Sequence, residues 1–306
     1  MKTTPVTHAD LQRSVIAVPP LARTSDLELD GEANRRLLSY LREGGVSTAM
    51  YGGNANLYNI SLRQYEELLD RLPEWAPEDM WLIPSVGPSF GQMLDHVDVL
   101  RGHAYPTAMV LPLVSPATPA GAATGIRKAA ERFGKPVIVY LKSETFLTTD
   151  LVAELVGDGL VCGIKYAIVR QDPAQDAYLE DLLTKVDSNL VISGIGERPA
   201  IVHWRRFGLR AFTSGSVCVG PRQSTAILEH LKAGRFEDAE RLRARFLPLE
   251  DLRDSVNPVR VLHHAVAAAG VAPTGPILPL LSDLSLEDAE RVRAAARALA
   301  AEELSA

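Results

Sequence analysis

A lysine at the end of an apolar segment is the residue of this chain best suited to covalent chemistry. Lys165 follows Leu160–Ile164, which has the composition of a buried strand. A charged ammonium in such a place is costly unless it loses its proton or gains a partner. Desolvation lowers a lysine pKa, and a neutral amine can attack a carbonyl carbon to form a Schiff base. Lys165 is therefore predicted to be either ion-paired or reactive.

A tyrosine ends a second strand-like segment, about one βα unit upstream. Tyr140 follows Pro136–Val139, and its hydroxyl could move protons while a carbinolamine forms and collapses. Each residue also has a structural explanation: an ion pair for Lys165, and an aromatic cap on a packed core for Tyr140. The order of the surrounding elements decides between these interpretations.

Short apolar runs alternate with amphipathic segments along most of the chain. The candidate strands are Ser14–Val18, Val46–Tyr51, Met80–Pro84, Thr107–Pro112, Val137–Leu141, Leu160–Tyr166, Asn189–Ser193 and Ala211–Ser214. The helical patterns between them are Asp30–Glu43, Leu62–Leu72, Phe90–Arg101, Ala120–Phe133, Thr149–Val156, Ala174–Val186 and Pro199–Phe207. This alternation predicts an α/β fold, a (β/α)8 TIM barrel.

The chain continues beyond the eighth predicted strand with additional C-terminal helices. Their patterns cover Arg222–Ala233, Phe236–Leu252, Val259–Ala269 and Leu286–Ala300. Alanine-rich apolar stripes on these helices must be buried against the barrel or another subunit. We expect residues 1–220 to form the barrel core and residues 221–306 a helical extension packed on it.

Composition excludes several classes of partner. The chain has 306 residues, 46% of them hydrophobic, and a net charge of −6, which argues against a nucleic-acid or anionic membrane surface. No apolar run approaches the roughly 18 residues of a membrane span. Cys162 and Cys218 lie in apolar surroundings without metal-ligand spacing, so free thiols and a cytoplasmic location are expected. Small molecules are the predicted partners.

Glycines and small polar residues follow several predicted strands. The second strand leads into Gly52-Gly53-Asn54, and the seventh ends at Ser193-Gly194. In a TIM barrel these strand ends form the active-site face. Glycines let backbone amides approach an anion closely, so a substrate carboxylate is a natural ligand. A tight βα turn is the simpler explanation of any one of these glycines.

The order of these segments resembles that of the dihydrodipicolinate synthase/N-acetylneuraminate lyase family. The resemblance runs from about residue 12 to residue 300. Its motifs are Gly52-Gly53-Asn54, Tyr140, Gly163-Ile164-Lys165, Ser193-Gly194, Asn257-Pro258-Val259 and Pro276-Ile277-Leu278-Pro279-Leu280. Membership implies a class I aldolase barrel that forms a Schiff base with pyruvate or another 2-oxo acid, commonly as a homotetramer. Neither a metal nor an organic cofactor is expected.

The resemblance also assigns roles to individual residues. Lys165 would be the Schiff-base lysine and Tyr140 the general acid/base. Gly52, Gly53 and Asn54 would form the carboxylate-binding loop. Ser193 and Gly194 would line the opposite wall of the site.

This chain departs from the family pattern at the loop after strand two. The usual Gly-Thr-Thr-Gly-Glu is replaced by Gly52-Gly53-Asn54-Ala55-Asn56, so the paired threonine hydroxyls are lost. Backbone amides could still hold a carboxylate, and Asn54 could donate a side-chain hydrogen bond. The usual hydroxyl path to Tyr140 is interrupted.

Further departures concern the part of the site that would bind a second substrate. Leu113 and Val114 stand where a relay tyrosine follows strand four in dihydrodipicolinate synthase, and Thr145 stands where that enzyme has an arginine. Lys142 could replace the arginine's charge but not its bidentate geometry. Together with Phe146, Leu113 and Val114 predict a less polar distal pocket lined by substrate-binding apolar residues.

The leading hypothesis is a Schiff-base lyase or aldolase acting on pyruvate or another 2-oxo acid, and not a true dihydrodipicolinate synthase. A 2-keto-3-deoxy sugar acid dehydratase would use the same lysine. A catalytically decayed keto-acid binding protein is the non-enzymatic alternative, suggested by the lost threonines and tyrosine. Retention of Lys165 and Tyr140 favours an enzyme. A homotetramer or homodimer is expected.

Overall fold

The computed structural model describes residues 2–304 as a ring of parallel strands surrounded by helices. The strands are short and lie close to their predicted positions. They are β1 (Ile16–Ala17), β2 (Thr48–Met50), β3 (Trp81–Ile83), β4 (Ser85–Val86), β5 (Met109–Val110), β6 (Val137–Leu141), β7 (Val161–Tyr166), β8 (Val191–Ser193) and β9 (Thr213–Ser214).

The strands pair in parallel around the ring. One sheet has the order β3-β2-β1-β9 and the other the order β4-β5-β6-β7-β8. The two sheets meet at Pro84, which divides the predicted third strand into β3 and β4, and at a parallel bridge between Ser193 and Phe212. Pro84 has no N–H to donate, but its carbonyl accepts from the Met109 amide at 2.8 Å. The predicted (β/α)8 barrel is confirmed.

The helices begin and end close to the predicted bounds. They are α1 (His8–Gln12), α2 (Gly31–Glu43), α3 (Leu62–Trp75), α4 (Phe90–Leu100), α5 (Pro119–Phe133), α6 (Thr149–Gly157), α7 (Ala177–Leu183), α8 (Glu197–Phe207), α9 (Pro221–Lys232), α10 (Phe236–Ser255), α11 (Pro258–Ala268) and α12 (Leu286–Leu304). Side-chain N-caps such as Ser61 and Thr118 accept backbone N–H groups of the first turn, which explains the agreement at these ends.

Helix α7 is shorter than the predicted Ala174–Val186 because Asp176 serves as its N-cap. One oxygen of Asp176 accepts the Leu179 amide at 3.0 Å. The other accepts the Tyr166 hydroxyl at 2.5 Å. This carboxylate therefore joins the start of α7 to β7, the strand that carries Lys165.

The C-terminal helices pack on the barrel. Helix α9 contacts α2 and α8, α10 contacts α8 and α9, and α11 and α12 contact α10 and each other. No helix among residues 2–304 is both long enough and apolar enough to cross a lipid bilayer. The division of the chain at residue 220 stays a prediction.

Buried aliphatic side chains cover both faces of the strands that carry Tyr140 and Lys165. Ile138, Val139 and Ile164 are fully buried on the two strands that carry Tyr140 and Lys165. Such a core excludes water, so a polar group placed at its upper edge meets a low dielectric constant.

Candidate active site

Lys165 and Tyr140 face each other on neighbouring strands. They are paired in the parallel register of β6 and β7, so both side chains point to the same face. The Nζ atom of Lys165 lies 4.4 Å from the centroid of the Tyr140 ring. Both residues line a cavity of about 140 Å³ at the carboxyl ends of the strands. The structure thus brings together two residues that lie 25 positions apart in the chain.

No carboxylate of the described residues neutralises Lys165. Its residue is only 4% exposed, and among residues 2–304 no carboxylate oxygen lies within 4.0 Å of Nζ. Burial, with a smaller contribution from the charge of Lys142, lowers the pKa of Lys165 to about 7. The ion-pair explanation therefore has no partner in this part of the chain, and a large fraction of the amine is uncharged at neutral pH.

Tyr140 is suited to donating a proton. Burial raises the pKa of its hydroxyl to about 12, although the positive charge of Arg253 opposes this effect. The phenol is therefore protonated at neutral pH. Its hydroxyl has no hydrogen-bond partner among the described residues and is free to bond a ligand.

A second tyrosine, Tyr58, lines the same cavity and was not anticipated from the sequence. It lies on a 3-10 turn, Leu57–Asn59, that follows the loop after β2. Burial, with a contribution from Tyr140, raises the pKa of its hydroxyl. No motif marks Tyr58 as a residue of the site, and its position five residues beyond Gly53 is the sequence feature that could have indicated it.

The loop after β2 presents unpaired backbone amides to the cavity. Gly53 and Asn54 line the cavity, and neither of their N–H groups has an acceptor within residues 2–304. The side-chain amide of Asn54 donates to the Val18 carbonyl at 2.9 Å, so it fixes the loop to the end of β1. The backbone N–H groups and the second N–H of the Asn54 side-chain amide are therefore available for an anion.

Gly52 lies behind this loop and does not line the cavity. A Cβ atom at Gly52 would fall 2.5 Å from Met109 Cε and 3.0 Å from Ser85 Oγ. Gly52 therefore allows the loop to approach β4 and β5 closely, while its neighbour Gly53 faces the site.

The two residues at the end of β8 have different surroundings. Gly194 lines the cavity, and a Cβ atom there would lie 2.7 Å from the Tyr166 carbonyl oxygen and 3.0 Å from Lys165 Cγ. Ser193 is buried, and its hydroxyl bonds His203 Nδ1 at 2.8 Å. Gly194 thus makes room for the lysine stem, whereas Ser193 supports the strand from behind.

Leu113 lies in a different cavity. That groove has a volume of about 830 Å³ and is lined by Leu113, Phe146, Met93, Phe90 and Ile126, among others. Leu113 and Phe146, which the sequence analysis assigned with Val114 to a distal pocket of the site, both line this groove, and neither lines the cavity of Lys165.

The C-terminal helices close the lysine cavity, which the strand-end residues alone did not indicate. Helix α10 contributes Arg253 and Asp254, and α11 contributes Pro258, Val259 and Leu262. Asn257 caps α11 by accepting the amides of Val259 and Arg260 at 3.1 and 3.0 Å. The Asn257-Pro258-Val259 motif therefore sets one wall of the site. Within residues 2–304, no cluster of three or more His, Cys, Asp or Glu side chains is placed to hold a metal ion.

This chain is similar to a known protein family and to several solved structures. The model of the Dihydrodipicolinate synthetase family matches residues 13–299. Among solved structures, the dihydrodipicolinate synthase of Bacillus clausii superposes with a TM-score of 0.83 at 21% identity, covering 94% of this chain and 97% of the other. That of Oceanobacillus iheyensis gives a TM-score of 0.82 at 23% identity, over 95% and 98% of the two chains. The Thermotoga maritima enzyme gives 0.82 at 19% identity, over 94% and 99%. A search of curated proteins finds no match to this chain.

Proposed function

The chain belongs to the dihydrodipicolinate synthetase family, and we propose that it is a Schiff-base-forming lyase or aldolase that acts on pyruvate or another small 2-oxo acid. One observation carries this proposal: the Lys165 amine is buried, has no carboxylate partner within residues 2–304, faces Tyr140 and lines a cavity at the strand ends. An amine in that state is a nucleophile for a ketone.

In the proposed mechanism, the loop after β2 binds the substrate carboxylate. The N–H groups of Gly53 and Asn54 have no acceptor among the described residues, so they are available to an oxyanion. This loop and Lys165 lie on opposite sides of the ring, since they follow the second and sixth strands of the barrel. A 2-oxo acid bound by its C1 carboxylate would thus present its C2 ketone towards the amine.

Covalent catalysis then begins with attack of neutral Lys165 Nζ on C2. The resulting carbinolamine loses its hydroxyl as water, with the proton supplied by Tyr140, and a protonated imine remains. In a substrate with a hydroxyl at C4, the imine draws electrons from the C3–C4 bond, so that bond can break to give an enamine. The Tyr140 phenolate formed in the first step accepts the proton of the departing hydroxyl-bearing fragment, which leaves as a carbonyl compound.

The cavity favours a small substrate. Its volume of about 140 Å³ is well below the roughly 300–1,000 Å³ of pockets for drug-sized ligands. A short 2-oxo acid fits this limit better than a long sugar acid. Loss of water in place of carbon–carbon cleavage, as in a 2-keto-3-deoxy sugar acid dehydratase, would pass through the same imine, and product analysis would distinguish the two.

Activity as a true dihydrodipicolinate synthase lies outside this proposal. Leu113 and Val114 replace the relay tyrosine that follows strand four in that enzyme, and Thr145 replaces its arginine. Leu113 itself lies in the separate groove. We infer that the second substrate, if there is one, differs from that of the synthase.

Reduction of the imine by borohydride tests the proposal. Intact-protein mass spectrometry would compare the wild type with Lys165→Ala, and Lys142→Ala would be the matched control because Lys142 lines the same cavity. We expect pyruvate or a longer 2-oxo acid to add to the wild type and to Lys142→Ala, but not to Lys165→Ala. An equal adduct in Lys165→Ala would refute the mechanism. A folded wild type that forms no adduct with any acid would support the decayed binding protein.

The expected homotetramer or homodimer is also part of this proposal. Two large apolar side chains near the Leu113 groove, Phe90 and Val114, are 47% and 48% exposed in the single chain. A second copy of the chain would cover them. Sedimentation equilibrium would give the number of chains, and a monomer would contradict this part. The cytoplasmic location stays a prediction.

A further inference from the structure

The loop after β8 forms the part of the cavity wall that contacts Lys165. Gly194, Ile195 and Gly196 of this loop line the cavity. A Cβ atom at Gly194 would lie 3.0 Å from Lys165 Cγ, so the loop backbone packs directly against the lysine stem. The position of this loop therefore constrains where the Lys165 amine can lie.

Two side chains of α10 bind the backbone of this loop. Arg253 Nη1 donates to the Ile195 carbonyl at 2.7 Å, and Glu250 Oε1 accepts the Glu197 amide at 3.1 Å. The same two atoms, Nη1 and Oε1, bond each other at 2.9 Å. Because Glu250 and Arg253 lie three positions apart, they share one face of the helix. One pair of residues thus holds the loop on both sides of Gly196.

Gly196 allows this close approach. Its φ of +90° is rarely adopted by residues that have a side chain. A Cβ atom at Gly196 would overlap Glu250 Oε1 and would lie 2.6 Å from Arg253 Nη1. The two side chains of α10 therefore lie directly on the loop backbone, with no room for a further side chain.

The groups that hold the loop are buried and connected to other elements. Glu250 is fully buried, and Arg253 is 5% exposed. The Glu197 carboxylate accepts the hydroxyls of Ser214 and Ser224 at 2.8 and 2.6 Å, which fixes the start of α8 to β9 and α9. Hydrogen bonds in such a place are strong because water does not compete for them, and removal of one partner leaves the other unpaired. A change at Glu250 or Arg253 should therefore release the loop.

We propose that Glu250 and Arg253 are positioning residues that fix the loop after β8 and thereby hold Lys165 in place for attack on the substrate ketone. This inference rests on the proposed function, because it gives the loop a part in the reaction of Lys165. Within residues 2–304, the hydrogen bonds of the two side chains go to this loop, to each other and to Asp254, and none goes to the loop after β2. The pair therefore acts on the reaction of a bound acid and not on the binding of its carboxylate.

Hydrogen exchange of the loop tests this assignment without any substrate. In the wild type the amides of Gly194, Gly196 and Glu197 have acceptors at 2.6, 3.0 and 3.1 Å. Mass spectrometry of a peptide that covers residues 194–199 would follow their exchange. We expect this exchange to be about tenfold faster or more in Glu250→Met, which fills a similar space but accepts no hydrogen bond. Glu250→Gln, whose side-chain oxygen can accept the Glu197 amide, should keep the protection of the wild type.

Arg253→Met provides a second, independent variant. It removes the donor to the Ile195 carbonyl, so the loop should again exchange about tenfold faster or more. A loop as well protected as in the wild type would show that Arg253 does not hold it.

The rate of borohydride trapping with pyruvate tests the link between the loop and Lys165. In Glu250→Met the maximum rate should fall about tenfold or more, because a small misplacement of a reacting group slows its reaction strongly. The pyruvate concentration that gives half the maximum rate should stay the same, and Glu250→Gln should react like the wild type. Leu249→Ala is the matched control, because Leu249 is buried on α10 and its aliphatic side chain makes no hydrogen bond to the loop. This control should lower stability without changing the maximum rate.

The possible outcomes separate this inference from the proposed function. A loop that exchanges as slowly in Glu250→Met as in the wild type would overturn the assignment. It would also be overturned by a released loop with an unchanged maximum rate, by an equal fall of that rate in Leu249→Ala, or by a change confined to the half-saturating concentration. A wild type that forms no adduct with any acid would overturn the proposed function. Hydrogen exchange requires no imine, so it would still decide whether Glu250 and Arg253 fix the loop.

Discussion

The pH dependence of imine formation tests whether Lys165 is a neutral amine in the folded protein. Burial and the nearby charge of Lys142 lower its pKa from the ordinary 10.5 to about 7. At pH 7 roughly half of the Lys165 amines would be uncharged, against about one in 3,000 for a lysine at its ordinary pKa. The barrel would thus raise the amount of nucleophile roughly a thousandfold without any change in the amine itself.

The assay is the rate of reductive trapping with sub-saturating pyruvate, followed by intact-protein mass from about pH 5 to pH 10. Below the Lys165 pKa, we expect the trapping rate to rise about tenfold for each pH unit. The rate should level off near pH 7. In Lys142→Met the same profile should level off at higher pH, because a like charge has been removed. A wild-type rate that still rises steeply above about pH 9 would refute the claim that Lys165 is desolvated.

Protein stability gives a measurement of the same pKa that needs no substrate. Because the folded pKa lies below the unfolded one, the unfolded chain binds more protons between about pH 7 and pH 10.5. The cost of burying Lys165 is therefore present in full below about pH 7 and is removed as the pH rises towards 10.5. From pH 6 to pH 9, the unfolding free energy of the wild type should rise relative to Lys165→Met by about 3 kcal/mol. Parallel curves for the two proteins would contradict this reasoning.

Three further substitutions examine the rest of the site. Tyr140→Phe should leave the fold intact and slow imine formation by about 100-fold or more in single-turnover trapping; an unchanged rate would remove Tyr140 from the mechanism. Gly194→Ala places a methyl group 2.7 Å from the Tyr166 carbonyl oxygen. It should lower the free energy of unfolding, measured in urea, by about 1–3 kcal/mol. Gly53→Ala should lower it much less, because the nearest neighbour of the new methyl group would be 3.7 Å away. Ser193→Ala should destabilise the fold by about 1–3 kcal/mol, because it leaves a buried histidine nitrogen unpaired, and should not change the trapping rate at saturating pyruvate; a large loss of trapping would show that Ser193 contacts the substrate.

The strands and helices follow closely from local sequence patterns. Val137–Leu141 is predicted and observed with the same bounds, and α2 covers the predicted range Asp30–Glu43 except for Asp30, which is its N-cap. Apolar periodicity and capping residues act over a few positions, so they can be read without knowledge of the fold. Helix α7 begins later than predicted because Asp176 caps it, and the same carboxylate accepts the Tyr166 hydroxyl, a contact between elements that a local pattern does not show.

Lys165 and Tyr140 could be chosen from the sequence as the candidate catalytic pair because both residues end apolar strands. Once a parallel barrel is expected, Tyr140 and Lys165 must lie on the same edge, and the observed register makes them direct neighbours. The absence of a carboxylate beside Lys165 could not be predicted in this way, because a partner could come from any element of the barrel. Ser193 and Leu113 show the same limit: each is at a strand end, but one turns towards His203 and the other towards a separate groove.

The sequence by itself determined the (β/α)8 architecture, the family, and the two residues best suited to Schiff-base chemistry. Only the tertiary structure decided that Lys165, the backbone amides of Gly53 and Asn54, and Nη2 of Arg253 lack partners within residues 2–304, and that Arg253 of α10 lines the cavity of Lys165. Arg253 is 88 positions from Lys165 and lies among the alternating charges typical of an exposed helix face. Burial, charge and hydrogen-bond partners depend on which distant segments pack together, and a local sequence pattern does not carry that information.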